Sequence, residues 1–179
     1  MTSNVKHSSK NDSWMTPLVI INKSLEVLEH VNLDPATSVE ANSRIKASNI
    51  LTREEDGLIA PWSKGVVFLN PPGGKLRNKS IPALFWKKLM DHKEAGLLTD
   101  AIFIAFSIES LQTTQNYGCK SIGEFPFCIP SRRMAFERSD GSPGSQPSHS
   151  NAIVYIPGTK DRRKQFNKTF QDLGIIINL

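Results

Sequence analysis

An α/β sandwich with a mostly parallel central sheet is the fold class this sequence predicts. Three observations predict it. Apolar runs such as Val66–Leu69 (VVFL), Ala101–Phe106 (AIFIAF) and Ala152–Ile156 (AIVYI) show no polar alternation, as in strands covered on both faces. Stretches with apolar residues at helical spacing lie between and before them. The regular exchange of strands and helices favours a largely parallel sheet. At 179 residues the chain suits one domain, able to bury roughly 70% of its unfolded surface.

The elements follow in order. Residues 1–13 are polar and offer almost nothing to bury, so they read as a disordered tail before a single domain over 14–179. Thr16 and Pro17 suit a helix cap and first helical position, and Leu18, Ile21, Leu25 and Leu28 carry a helix over 17–31. Leu33 closes a short strand, with Asp34-Pro35 after it. A short helix fits 39–47. An acidic turn, Glu54 to Gly57, precedes the strand 65–69. A helix over 81–95, a strand over 100–107 and a short helix over 108–118 come next. Strands are expected at 125–129 and 151–156, an amphipathic basic helix at 160–173, and a last strand from Gly174. The segment 139–149 has no apolar residue, so a flexible loop is expected near 138–150.

Composition narrows the function classes. The formal net charge of +5 favours a polyanionic partner, weakly. Two cysteines, Cys119 and Cys128, make neither a disulfide framework nor a zinc site, so no metal is expected and reduced thiols are. No apolar run is long enough for a membrane span, and the N-terminus lacks the apolar centre of a signal peptide. A soluble, cytoplasmic protein is expected. Nothing in the chain fixes its oligomeric state.

The strand at 65–69 runs straight into Asn70-Pro71-Pro72. In α/β sheets ligands bind beyond the carboxyl ends of strands. An exocyclic amino group on a nucleobase has its lone pair delocalised into the ring. A site that activates it must accept hydrogen bonds from its N–H groups. The Asn70 side-chain oxygen and a backbone carbonyl both qualify, and two prolines stiffen the turn that presents them. The plainer alternative is a turn that only ends the strand.

Four pieces occur in a fixed order: WMTP at Trp14–Pro17, LDPA at Leu33–Ala36 with Asn42 shortly after, DGL at Asp56–Leu58 with Trp62 following, and VFLNPP at Val67–Pro72. On these pieces the chain, from Trp14 to about Pro157, resembles the phage- and prophage-encoded DNA N-6-adenine methyltransferases (Dam-like). The resemblance implies a Rossmann-like methyltransferase sandwich that uses S-adenosylmethionine and acts on double-stranded DNA. It assigns Thr16 to the methionine end of the cofactor, with the Trp14 ring walling that pocket. It assigns Asp34 to the cofactor's ribose or amino group, Asp56 to the amino group of its adenine, and Leu58 to that ring's face. Asn70, Pro71 and Pro72 would hold the target amino group. For a phage-encoded protein the host cytoplasm is implied.

Each residue keeps a structural alternative. Trp14 also reads as a core plug, Thr16 as a cap, and Asp34 and Asp56 as turn formers. The family usually carries an aromatic after NPP, which stacks on the flipped base; here Gly73 stands there. Phe85, Trp86 and Phe136 are candidate substitutes. Lys75 and Arg77 after the turn, with Lys79, Lys87 and Lys88, suit a phosphate track. Arg132, Arg133 and Arg138 surround Phe136 in a segment that reads either as a DNA contact or as a solvated edge with one buried ring. His149 reads as a loop residue, and no general base is required if the amino proton leaves to water. The alternative functions are a non-catalytic DNA-binding protein on the same fold, and an amino-methyltransferase acting on cytosine or RNA.

Overall fold

The computed structural model describes residues 15–105, 107–138, 142 and 150–178. The expected tail, Trp14 and most of the expected loop near 138–150 lie outside the described residues. Helix α1 (Leu18–Leu28) leads to strand β1 (Leu33–Asp34), helix α2 (Val39–Ile45) and strand β2 (Asn49–Ile50). Strand β3 (Gly65–Leu69) is followed by a hairpin, β4 (Lys75–Leu76) and β5 (Lys79–Ser80), and then by helix α3 (Ile81–Glu94). Strand β6 (Leu98–Ala105), a short helix α4 (Ser110–Thr113), strand β7 (Phe127–Pro130), strand β8 (Ala152–Pro157), helix α5 (Arg163–Phe170) and strand β9 (Gly174–Ile177) complete the described chain.

Seven strands form one sheet in the order β2-β1-β3-β6-β8-β7-β9. Strands β2, β1, β3 and β6 are mutually parallel; β8 runs against β6 and β7, and β9 against β7. Direction therefore favours the expected class, because only β8 and β9 are reversed. Strand β8 slots between β6 and β7, and every ladder on that side of the sheet is antiparallel. Unbroken apolar runs reveal burial on both faces but not strand direction, so this reversal left no mark in the pattern. The α/β class with a mostly parallel, mixed central sheet stands.

Both faces are covered, which is why the strands read as unbroken apolar runs. Val67 and Leu69 of β3, with Ala101 and Phe103 of β6, pack toward Phe85, Trp86 and Leu89 of α3. Val66 and Phe68, with Ile102 and Ile104, pack toward Ile20, Ile21 and Leu28 of α1 and toward Phe166 and Phe170 of α5. The period-two alternation thus separates two apolar layers rather than a wet face from a dry one.

Several boundaries differ from expectation. Helix α1 ends at Leu28, where Glu29 turns to a positive φ of 68° that no helix continues, and its N–H donates to the Leu25 carbonyl. Thr16 does not cap α1; Pro17 holds the cap position without a side-chain bond. At α2 the cap is Ser38, whose hydroxyl accepts from the Ala41 N–H. The basic helix is eight residues, Arg163–Phe170, shorter than the expected span over 160–173. Asn42 folds back on the end of α2, accepting from the Ala47 N–H at 2.7 Å. Cys119 and Cys128 are both free thiols.

Candidate functional site at the carboxyl rim of the sheet

Strand β1 connects onward to β2 on one side, whereas β3 connects onward to β6 on the other. The boundary between β1 and β3 is therefore the switch point of the parallel half, the place beyond whose strand ends α/β sheets bind ligands. Leu33 is in register with Val67, so Asp34 and Asn70 finish neighbouring strands. The two residues singled out from sequence thus meet at the position that topology favours for a ligand.

Asn70 is half-buried, Pro71 buried, and Pro72 and Gly73 exposed. The Asn70 side-chain N–H donates to the Thr16 hydroxyl at 3.0 Å. That bond fixes the carboxamide with its nitrogen turned inward. The Oδ1 atom is left as an acceptor on the other side. Thr16 is itself buried and immobilised. Its carbonyl accepts from the Arg44 guanidinium at 3.1 Å, and Arg44 also pairs with Glu137 at 2.7 Å. Met15 and Glu137 exchange backbone hydrogen bonds at 2.7 and 3.0 Å as an isolated bridge.

Asp34 is 4% exposed. Burial pushes its carboxyl up to about 7, against the Ala36 N–H and the Thr37 hydroxyl, which favour the charged form. The Ala36 bond to Oδ1 is long, 3.2 Å. Such a group gains from a further donor. Asp56 lies in a turn that closes over the same rim. It sits in the left-handed region (φ 53°), and its Oδ1 accepts from the Leu58 N–H at 3.0 Å. Gly57 is buried, and a Cβ there would lie 1.8 Å from the Pro35 carbonyl oxygen. Only glycine allows the Asp56 turn to sit on the Asp34-Pro35 corner. Leu58 is half-buried and packs on the α3 side of the core.

Trp62 and Lys88 fasten this turn. Trp62 donates from its indole N–H to the Gly57 carbonyl at 2.8 Å. Lys88 donates to the carbonyls of Leu58 and Ala60 at 3.0 and 2.6 Å, and its ammonium lies 5.3 Å from the Trp62 ring centre. Desolvation lowers the Lys88 pKa. Lys87 pairs with Asp91 on the same helix. Both lysines expected on a phosphate track are engaged within the protein, Lys88 with two carbonyls and Lys87 in an exposed pair.

Lys75, Arg77 and Lys79 are exposed on the β4–β5 hairpin. Arg132, Arg133 and Arg138 are exposed along the segment after β7, and the Met15–Glu137 bridge moors that segment beside Thr16. Phe136 is half-buried and packs on the α1 side of the core. Phe85 and Trp86 are buried within the α3 layer. A cleft of about 360 Å³ beside the segment is lined by Pro17, Ile20, Pro130, Arg132, Met134 and Leu173; Asp34 and Asn70 are not part of it.

Thr16, Asp34, Asp56 and Asn70 therefore converge on one rim, while the arginines form a flank to it. Arg44 and Glu137 escaped the sequence reading. They lie far apart in the chain, and no local pattern announces a pair that joins through space. Among the described residues no cluster of three or more His, Cys, Asp or Glu could hold a metal ion. No helix among them is long and apolar enough to cross a membrane. No family model, curated protein or solved structure matches this chain.

Proposed function

We propose that the protein transfers a methyl group from S-adenosylmethionine to the exocyclic N-6 amino group of adenine in DNA. The observation that carries this reading is the Asn70 carboxamide, held by Thr16 with its oxygen free, at the end of β3 beside Asp34. An amino group placed there donates one N–H to Asn70 Oδ1 and the other to the Pro71 carbonyl. Both bonds draw the nitrogen toward tetrahedral geometry, which returns its lone pair for attack. The acceptors are rigid before substrate arrives, so little reorganisation is needed. The spare proton leaves to water.

The rim also fits the cofactor. Asp34 is a buried carboxylate short of donors, and an amine or ribose hydroxyl supplies them. Asp56 and Leu58 stand next to it through the Gly57–Pro35 contact, with an acceptor and an apolar side chain suited to an adenine ring. S-adenosylmethionine would supply an electrophilic methyl carbon. Arg132, Arg133, Arg138, Lys75 and Arg77 supply the positive flank for double-stranded DNA, from which the target base must be extruded at a cost of a few kcal/mol. Few elements remain to read a long site, so relaxed sequence specificity is expected.

The test is transfer of labelled methyl to unmethylated duplex DNA by the native protein and by Asn70→Ala, with nucleoside analysis of the product. Methyladenine with the native protein and none with the variant supports the reading. Gly73 favours a second reading, a DNA-binding protein without transfer, because it offers no ring to the base. DNA binding with no transfer to adenine, cytosine or RNA would establish that second reading instead.

A further inference from the structure

The missing ring after Pro72 leaves a physical problem that the hairpin beside it addresses. Residues 72–79 are all exposed and carry three cations, Lys75, Arg77 and Lys79, with no acid among them. None of the three is engaged in an ion pair within the described residues. The hairpin is ordered nonetheless. Leu76 pairs with Lys79 and Lys75 with Ser80, and the Ile81 N–H donates to the Gly74 carbonyl at 3.0 Å, closing its base against α3. Arg77 and Asn78 form the two-residue turn with φ of 48° and 65°. Asparagine-glycine is the favoured pair for such a turn, and a left-handed arginine carries a steric penalty. The chain thus places a long cation at the apex despite a backbone penalty.

Leu76 is the apolar side chain of this hairpin and is 37% exposed. Phe85 and Trp86 are 4% and 0% exposed, so neither reaches a base without unfolding the core. Extruding a base leaves a gap in the stack. Proteins that kink or open duplexes fill such gaps with Leu, Ile, Met or Phe while cations hold the adjoining phosphates. We infer that the β4–β5 hairpin holds duplex DNA open beside Asn70, with Lys75, Arg77 and Lys79 on phosphates and Leu76 in the stack where the base has left. This rests on the methyl-transfer reading of Asn70. It replaces capture of the base by a ring with support of the vacated duplex.

Two variants of the full chain test it: Leu76→Ala, and the combined Lys75→Gln/Arg77→Gln/Lys79→Gln. The charge variant's unfolding midpoint should match the native protein, since its side chains are exposed; Leu76 is 37% exposed and gives up some packing, so its variant is read as the ratio of transfer to duplex over denatured DNA. The charge variant should flatten the dependence of log affinity for mixed-sequence duplex DNA on log salt by about 2–3, near 0.9 per phosphate contact. Leu76→Ala should lower methyl transfer to native duplex roughly tenfold. It should leave transfer to the same DNA, heat-denatured, within about twofold, because no stack then needs support. An unchanged salt slope, or equal transfer to duplex by Leu76→Ala and the native protein, overturns the hairpin's role while native transfer keeps the methyl-transfer reading intact. An equal loss on duplex and denatured DNA overturns the wedge in favour of a pocket role. A native protein that transfers to neither form removes the reading of Asn70 and the wedge with it.

Discussion

Replacing Asp34 by asparagine should make the protein more stable at alkaline pH while weakening it as a binder. The carboxyl is 4% exposed and raised from 3.8 to about 7 by burial. A tenfold change in proton affinity corresponds to about 1.36 kcal/mol, so the ionised side chain opposes folding by about 4 kcal/mol once both states are deprotonated. The direction follows from proton counting. Between pH 3.8 and about 7 the folded state holds a proton that the unfolded state has released, so native stability falls as pH rises through this window and levels off above it. Asparagine matches the neutral acid in shape and keeps an oxygen for the Ala36 N–H, but it does not titrate. Denaturant unfolding at about pH 5 and about pH 8 measures the contrast. Asp34→Asn should gain on the native protein by about 3 kcal/mol between those values, since most of the 3.8-to-7 window lies between them. A difference that is constant with pH, or a variant that loses ground as pH rises, would refute the reasoning. A ligand that brings an amine or hydroxyl donors to this carboxylate should reduce the native protein's pH dependence and bind the variant more weakly.

Three further outcomes are expected. Thr16→Val leaves the Asn70 amide nitrogen without its acceptor, and a bond of about 1 kcal/mol predicts a roughly five- to tenfold fall in methyl transfer, with recovery in Thr16→Ser. Trp86→Ala should cost about 3–5 kcal/mol in denaturant unfolding, because the ring is fully buried, packs edge-on against Phe103 and Phe125, and donates to the Lys120 carbonyl at 2.7 Å. Arg162→Ala strips the buried Asp100 carboxylate of its charge partner and should cost about 3–5 kcal/mol at neutral pH, read in the same unfolding assay. Burial already raises Asp100 with Arg162 present, and its loss raises it further, so the penalty should shrink on acidification as the carboxyl takes up a proton.

The parts of the fold written in local pattern were legible. Gly65–Leu69 matched its strand to the residue, because a doubly covered strand has no polar interruption and glycine opens it. The strand end at Leu33 was legible although two residues carry little periodicity; Asp34, read as part of the turn, belongs to the strand. The hairpin at 75–80 was not, because Lys, Leu, Arg, Asn, Lys and Ser have no strand alternation and the turn lacks its usual glycine. Strand β2 failed for the same reason: Asn49 and Ile50 owe their pairing to β1, not to their own preference. In the candidate site, the strand end named Asn70, whereas Asp34 and Asp56 read from pattern only as turn formers and were assigned by the resemblance. What sequence could not supply was the side-chain traffic: Thr16 reads as a helix cap until Asn70 is seen bonded to it, and Lys88 reads as a surface charge until two carbonyls are found beneath it.

Arg44 gives the rim the mechanics of an arch. One guanidinium grips the Thr16 carbonyl and the Glu137 carboxylate, and Thr16 in turn steadies Asn70. The arginine-bearing segment and the acceptor that would receive the base are thus parts of one frame, sharing a keystone rather than a hinge. Under the proposed function, a polyanion held by Arg132 or Arg138 would be joined to Asn70 through this chain of bonds. Contact at the flank and alignment at the centre would then be linked through three side chains, Glu137, Arg44 and Thr16.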